Sequence, residues 1–160
     1  VMVQGDEPMV TPEMITESLA PFDTDASVNV VNLMSFMESV DEFNDPNEVK
    51  VVVNKASDAI YFSREPIPSR NKGVLDVPML KQVCIIPFKR EYLLHFNEML
   101  ETELERIESV DMMRIIENGE SVRMVMTQFD SFSVDTEEDR ARVEEKMKSD
   151  KLMHMYVGSD

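Results

Sequence analysis

The run Val1-Met2-Val3-Gln4-Gly5-Asp6-Glu7-Pro8 constrains the fold more than any other stretch. A short β-branched apolar segment ends on a glycine and a carboxylate. A parallel strand that delivers an acid to the carboxyl edge of an α/β sheet has this pattern, and ligands of open sheets bind at that edge. The run has the character of mid-domain sequence, so the expectation is that a first half of the domain is missing from this chain.

Behind it, short apolar runs alternate with capped helical segments. Thr11-Pro12-Glu13 is a helix start, with Thr11 as N-cap and Pro12 at the first helical position, and this helix is expected to reach about Leu19. Val28 to Met34 reads as a strand. Val49 to Val53 and Ala59 to Phe62 flank a polar turn and read as a hairpin. Ser63 to Val77 is a long loop, and Gln82 to Phe88 is a strand whose Pro87 places its end on an edge or bulge. Glu91 to Leu100 is helical. Thr102 to Asn118 is one continuous helix stopped by Asn118-Gly119. Val122 to Met126 is a strand, and an amphipathic helix carrying Val143 and Met147 precedes a polar tail from Ser149. The pattern is α/β.

At 160 residues the chain can bury one domain core. Thirty-two acids against 16 bases give a net charge of -16, which argues against a nucleic-acid surface and an anionic membrane. Solvated helix faces account for the excess, and the absence of a basic phosphate-binding half is compatible with it. No run is long enough to span a bilayer. Cys84 is the single cysteine, so no disulfide forms within the chain and a reducing cytoplasm is the simplest home. It is expected to be a small core hydrophobe. The four glycines form no Gly-x-Gly pair, which excludes a dinucleotide fingerprint and a Walker loop. His95 and His154 lack ligand spacing, against a zinc site. The 14 methionines are placed as core filling.

Four positions could carry chemistry. Asp6 follows a strand and a glycine, so it could hold Mg²⁺ through one oxygen while phosphates complete the shell; bonding local backbone N–H groups in a turn is its plainer use. Asp135 stands before the acidic first turn Thr136-Glu137-Glu138-Asp139, where it could share that cation or simply cap the helix. Arg64 suits bidentate capture of a carboxylate or phosphate, or a surface pair with Glu65. Glu108 and Asp111, three apart on the expected long helix, either line a polar cavity or pair with a base such as Arg114.

Together these segments resemble the 3-deoxy-manno-octulosonate cytidylyltransferases, the CMP-Kdo synthetases. The resemblance is carried in order by Val3-Gln4-Gly5-Asp6-Glu7-Pro8, Pro46-Asn47-Glu48-Val49-Lys50-Val51-Val52, Ile60-Tyr61-Phe62-Ser63-Arg64 with Ile67-Pro68, Leu104-Glu105 with Ile107-Glu108 and Arg114, and Val134-Asp135-Thr136 with Glu138-Asp139. It implies part of a mixed-sheet, Rossmann-like nucleotide-sugar transferase fold with a β dimerisation arm. Residues 1–47 and 96–148 would belong to the nucleotidyltransferase domain, 48–95 to a β-rich sugar-binding and dimerisation region, and 149–160 to a tail. It also implies a cytoplasmic homodimer that couples CTP to the acid sugar Kdo, giving CMP-Kdo and pyrophosphate for lipopolysaccharide. Asp6 and Asp135 would hold Mg²⁺ as the catalytic pair. Arg64 would take the sugar carboxylate, Gln4 would lie near the nucleotide, and Glu108 and Asp111 would face sugar hydroxyls. Gln82 belongs to the same substrate-binding set but departs from the family: Gln82-Val83-Cys84-Ile85-Ile86-Pro87-Phe88 stands where His-Leu-Gly-Ile-Tyr-Gly-Tyr is common. That departure leaves open another CMP-activated acid sugar, such as 8-amino-Kdo or a nonulosonic acid. The missing triphosphate-gripping segment leaves open a non-catalytic association module, and the chain alone is expected to have little or no activity.

Overall fold

Alternation along Val30 to Met34 divides the core in two. Val30 and Met34 face one apolar cluster, with Val51, Phe62, Met112, Met113 and Ile115; Leu33 faces the other, with Met14, Val83 and Ile85. The structure is a computed structural model and describes residues 1–129 and 132–153. His154 and the end of the expected tail lie outside the described residues.

The elements run β1 (Met2–Val3), α1 (Pro12–Thr24), β2 (Val31–Phe36), α2 (Val40–Asn44), β3 (Lys50–Val53), β4 (Ala59–Ser63), β5 (Leu80–Val83), β6 (Ile85–Ile86), α3 (Arg90–Glu98), α4 (Glu103–Glu108), α5 (Met112–Glu117), β7 (Arg123–Met126) and α6 (Glu137–Met147). Five strands form a mixed sheet in the order β4-β3-β5-β2-β7. β2 and β7 are parallel, whereas β2–β5 and β3–β4 are antiparallel. The sheet curls until its two edges meet at one end. The Ala59 N–H donates to Val122 O at 2.9 Å, and the Met124 N–H donates to Ser57 O at 2.7 Å. Arg123 secures the junction through Asp58 at 2.7 Å and Asp25 at 3.3 Å.

β1 does not join a parallel ladder, as the opening run suggested. It pairs antiparallel with β6, through Met2↔Ile86 and Val3↔Ile85. The reason is topological: the returning strand β5–β6 lies between β1 and β2. Being antiparallel to that strand, β1 still points the same way as β2 and β7, so Asp6 does leave at their carboxyl end. Cys84 interrupts β5–β6, and its backbone turns to the β1 side. Its carbonyl accepts from the Gln4 N–H, and its N–H donates to Glu7 Oε1, both at 3.3 Å.

Two helices differ from expectation. α1 continues to Thr24 through Pro21, with the Asp25 N–H bonded back to Pro21 O at 2.9 Å, because one missing donor does not outweigh its packing on β2 and β6. The single helix expected over 102–118 is two. Ser109 takes the left-handed conformation (φ 53, ψ 49) and ends α4, and Asp111 starts α5. The break lets Val110 and Met112 both enter the core, at 4% and 0% exposure. The short α2, capped by Ser39 at the Glu42 N–H, was not anticipated.

Candidate active site

A cavity of about 460 Å³ opens where β1 ends. Its wall draws on the loop after β1 (Gln4, Asp6, Glu7), the turn before β3 (Asn47, Glu48), the β5–β6 strand (Lys81, Gln82, Cys84), α4 (Arg106) and the turn after it (Ser109, Asp111), and the approach to α6 (Ser133, Asp135), with Arg64 just after β4. Of the residues expected at the site, Gln4, Asp6, Arg64, Gln82, Asp111 and Asp135 line this one cavity.

Asp6 and Asp135 arrive on separate loops that are bonded to each other, the Val134 N–H donating to Asp6 O at 2.9 Å. Neither plain use applies. Asp6 Oδ1 is buried and has no hydrogen-bond partner, so it is not spent on a turn. Nor does Asp135 cap α6. Thr136 does so, accepting from the Asp139 N–H at 3.1 Å while Asp139 Oδ2 accepts from the Thr136 N–H at 3.0 Å. An acceptor left bare in a buried position fits a cation. Among the described residues no group of three or more His, Cys, Asp or Glu is placed to hold a metal. Two carboxylates with remaining positions left to water and phosphate oxygens match Mg²⁺, which keeps several waters and is bound through one or two carboxylates.

Arg64 lines the cavity but is also structural. Its Nε donates to Glu108 O at 2.8 Å, Nη1 to Pro46 O at 3.0 Å and Nη2 to Ser109 O at 3.3 Å. Two of its five N–H groups remain for a ligand. Glu108 is not in the cavity wall. Its carboxylate turns to β4 and accepts from Tyr61 Oη (3.0 Å), Ser63 Oγ (3.2 Å) and the Arg64 N–H (2.9 Å). The break at Ser109 causes this, because it rotates Glu108 away from Asp111. The Asp111–Arg114 pair is also absent; Arg114 binds Glu105, with its guanidinium 4.6 Å from the Phe96 ring centre.

The cavity's electrostatics follow from burial. Burial pushes the Asp111 carboxyl above the usual range, whereas the Arg114 hydrogen bonds hold Glu105 below it. Burial, then the charges of Glu7, Asp6, Asp111 and Asp135, pushes the Cys84 thiol up, which disfavours the thiolate. Burial opposes the charge on Lys81, but Glu48 at 3.1 Å and Glu42 at 2.7 Å outweigh it and hold the ammonium above its ordinary value.

Four contributors went unread in the sequence. Lys81 and Arg106 line the cavity. Lys50 is fully buried, and its ammonium donates to Asp45 O, Glu48 O and Arg64 O at 2.7, 2.8 and 2.5 Å. A lone charge inside Val49-Lys50-Val51-Val52-Val53 was the signal for it. Asn32 is buried in the β2 apolar run and bonds Gln82. Nothing in the sequence distinguished Lys81 or Arg106 from surface bases.

The family model described as Cytidylyltransferase matches residues 1–122. The 3-deoxy-manno-octulosonate cytidylyltransferase of Geobacter metallireducens is 40% identical over 157 residues, covering 92% of this chain and 62% of that protein. That of Solibacter usitatus is 39% identical over 158 residues, covering 99% and 63%. A solved structure of CMP:2-keto-3-deoxy-manno-octonic acid synthetase complexed with CTP is similar at a TM-score of 0.82 and 32% identity, over 91% of this chain and 60% of that one. The chain thus spans less than two thirds of the length of these relatives.

Proposed function

The chain belongs to the cytidylyltransferase family, and on that premise we propose that it carries the acid-sugar and metal side of an enzyme that transfers CMP from CTP to Kdo. The products are CMP-Kdo and pyrophosphate, for lipopolysaccharide synthesis. The observation that carries the proposal is the convergence of Asp6, with its bare buried oxygen, and Asp135 on one cavity. The names of the relatives supply the substrates.

In the reaction the anomeric oxygen of the sugar forms a bond to the α-phosphorus of CTP. The bond from that phosphorus to the bridging oxygen breaks, pyrophosphate leaves, and the hydroxyl proton passes to solvent or a nearby carboxylate. Such transfers depend on alignment and charge neutralisation more than on covalent catalysis. The remaining N–H groups of Arg64, with Arg106, bind the sugar carboxylate. Glu108 acts behind Arg64, fixing its backbone and, through Tyr61 and Ser63, the end of β4. Asp111 accepts from a sugar hydroxyl, and Gln4 lies at the nucleotide side. Mg²⁺ held by Asp6 and Asp135 would neutralise phosphate charge.

Replacing Mg²⁺ by paramagnetic Mn²⁺ tests the metal reading without turnover. Amide resonances of residues 5–7 and 133–135 should broaden first, and Asp6→Asn or Asp135→Asn should abolish the effect. Broadening confined to other acidic surfaces overturns it. The reaction is tested as pyrophosphate release from CTP by the protein carrying this sequence, which should require Kdo; release indifferent to Kdo overturns the substrate.

A cytoplasmic location belongs to the same proposal; Cys84 is a free cysteine, and among the described residues no helix is long and apolar enough to cross a membrane. The proposal includes a homodimer formed through the hairpin, whose strand β4 exposes Ile60 at 54%. Sedimentation should give twice the chain mass, and Ile60→Lys should give one.

A further inference from the structure

Two buried side-chain amides stand on the cavity side of the sheet, and their bonds leave only one orientation. Asn32, on β2, is 0% exposed. Its Nδ2 donates to Leu33 O at 2.8 Å and to Val83 O at 2.7 Å. An amide nitrogen has two hydrogens, and both are used. Turning the amide over would set Oδ1 against two carbonyl oxygens, so the backbone fixes Asn32 with its oxygen toward Gln82. Gln82 can meet that oxygen only with nitrogen, and Nε2 donates to Asn32 Oδ1 at 2.6 Å. Gln82 lines the cavity, and its Oε1 is neither bonded among the described residues nor among the buried atoms lacking a partner. Gln82 Oε1 is therefore left free to accept, beside the second hydrogen of Nε2.

We infer that Asn32 is a positioning residue that fixes Gln82 as a hydrogen-bond acceptor toward the cavity, so that the ligand group seated against Gln82 is a donor. This deepens the acid-sugar reading and rests on it. A hydroxyl or an ammonium fits the position. A carboxylate or phosphate offers only acceptors and would leave Oε1 unpaired. The sugar therefore binds with its acid end on the Arg64 and Arg106 guanidinium groups and a hydroxyl or amino substituent on Gln82. An amine in that place gains a charge-assisted bond, which makes the position selective between hydroxyl- and amino-bearing acid sugars.

Calorimetry with Kdo and with analogues carrying fluorine in place of one hydroxyl at a time tests this, because fluorine removes the donor and nearly keeps the size. At one position the replacement should weaken binding to the parent chain by about tenfold, the worth of one hydrogen bond. With Gln82→Met that penalty should vanish. With Asn32→Leu it should shrink while Gln82 is still present, because the amide is then free to turn over. The Gln82 side-chain amide protons give a ligand-free readout, with slow exchange in the parent and fast exchange in Asn32→Leu. An equal fluorine penalty in the parent and in Gln82→Met overturns the acceptor role. Unchanged amide exchange in Asn32→Leu overturns the positioning role. Where Asn32→Leu fails to fold, slow parent exchange and the Gln82→Met comparison decide. If neither Kdo nor any analogue binds the parent, the Kdo reading falls and the ligand half of this inference with it, while the exchange rates still judge Asn32.

Discussion

Lys50→Met is the most revealing single change. The Lys50 side chain is completely buried, and its three N–H donors go to three backbone carbonyls, Asp45 O, Glu48 O and Arg64 O. Methionine matches its length but supplies no donor. Each charge-assisted bond contributes about 1.5–3 kcal/mol net of desolvation, so the three set an upper bound of about 4.5–9 kcal/mol. Carbonyls that find water in the variant recover part of this, and the expected destabilisation is about 3–5 kcal/mol. Against a typical stability of about 5–15 kcal/mol, that is a large fraction. Urea unfolding followed by circular dichroism measures it, with the slope against denaturant checked for constancy. Lys55→Met, on the exposed turn of the same hairpin, is the control and should stay within about 0.5 kcal/mol. The cavity should feel the change too, because two of the three carbonyls belong to residues in its wall, Glu48 and Arg64. A Lys50→Met protein within about 1 kcal/mol of the parent would refute the reasoning, since the carbonyls would then have found water or other donors.

The remaining predictions concern carboxylates. Asp111 is raised by burial, so its contribution is full below the unfolded value of about 3.9 and is lost as pH rises through the folded one; Asp111→Asn should melt higher than the parent at neutral pH, match it near pH 3, and bind Kdo more weakly. Glu105 is lowered by Arg114, so its contribution is present above about pH 4.3 and is lost as pH falls through the folded value; Glu105→Gln should flatten the acid limb of the stability curve. Thr136→Ala should cost about 1 kcal/mol through the lost cap and spare Mn²⁺ broadening at residues 133–135, whereas Asp135→Asn should do the reverse. The reverse pattern would show Asp135 to be the cap.

Local chemistry made most of the elements legible. Thr11-Pro12, Asn118-Gly119 and the Lys50–Ser63 hairpin each announce themselves through residues that solve a nearby backbone problem, and the structure has a helix start, a helix stop and two paired strands there. The misreadings were long-range. Ser109 breaks a helix because Val110 and Met112 must both reach the core, and no glycine or proline marks that requirement in the sequence. β1 looked like one strand of a parallel ladder because its partner β6 lies more than 80 residues away. At the site, motif order indicated which residues belong together but not how each is employed. Glu108 was expected in the cavity, yet the same turn that admits Asp111 rotates it onto Tyr61, Ser63 and Arg64.

The site is fastened by bonds between segments rather than by the elements that carry it. Val134 holds the Asp6 loop, Glu7 holds the strand break at Cys84, Lys50 joins the 45–48 turn to Arg64, and Asn32 orients Gln82. In each case a polar group from one segment satisfies another segment's backbone or amide, so neither can shift alone without leaving a buried polar atom unpaired. That is why residues outside the cavity wall, Lys50 and Asn32 among them, govern its geometry. It also explains the single exception. Asp6 Oδ1 is the one acceptor in this wall that the described residues leave buried and bare. In a wall where carboxylates outnumber bases, the proposed cation would satisfy that atom and lower the repulsion together.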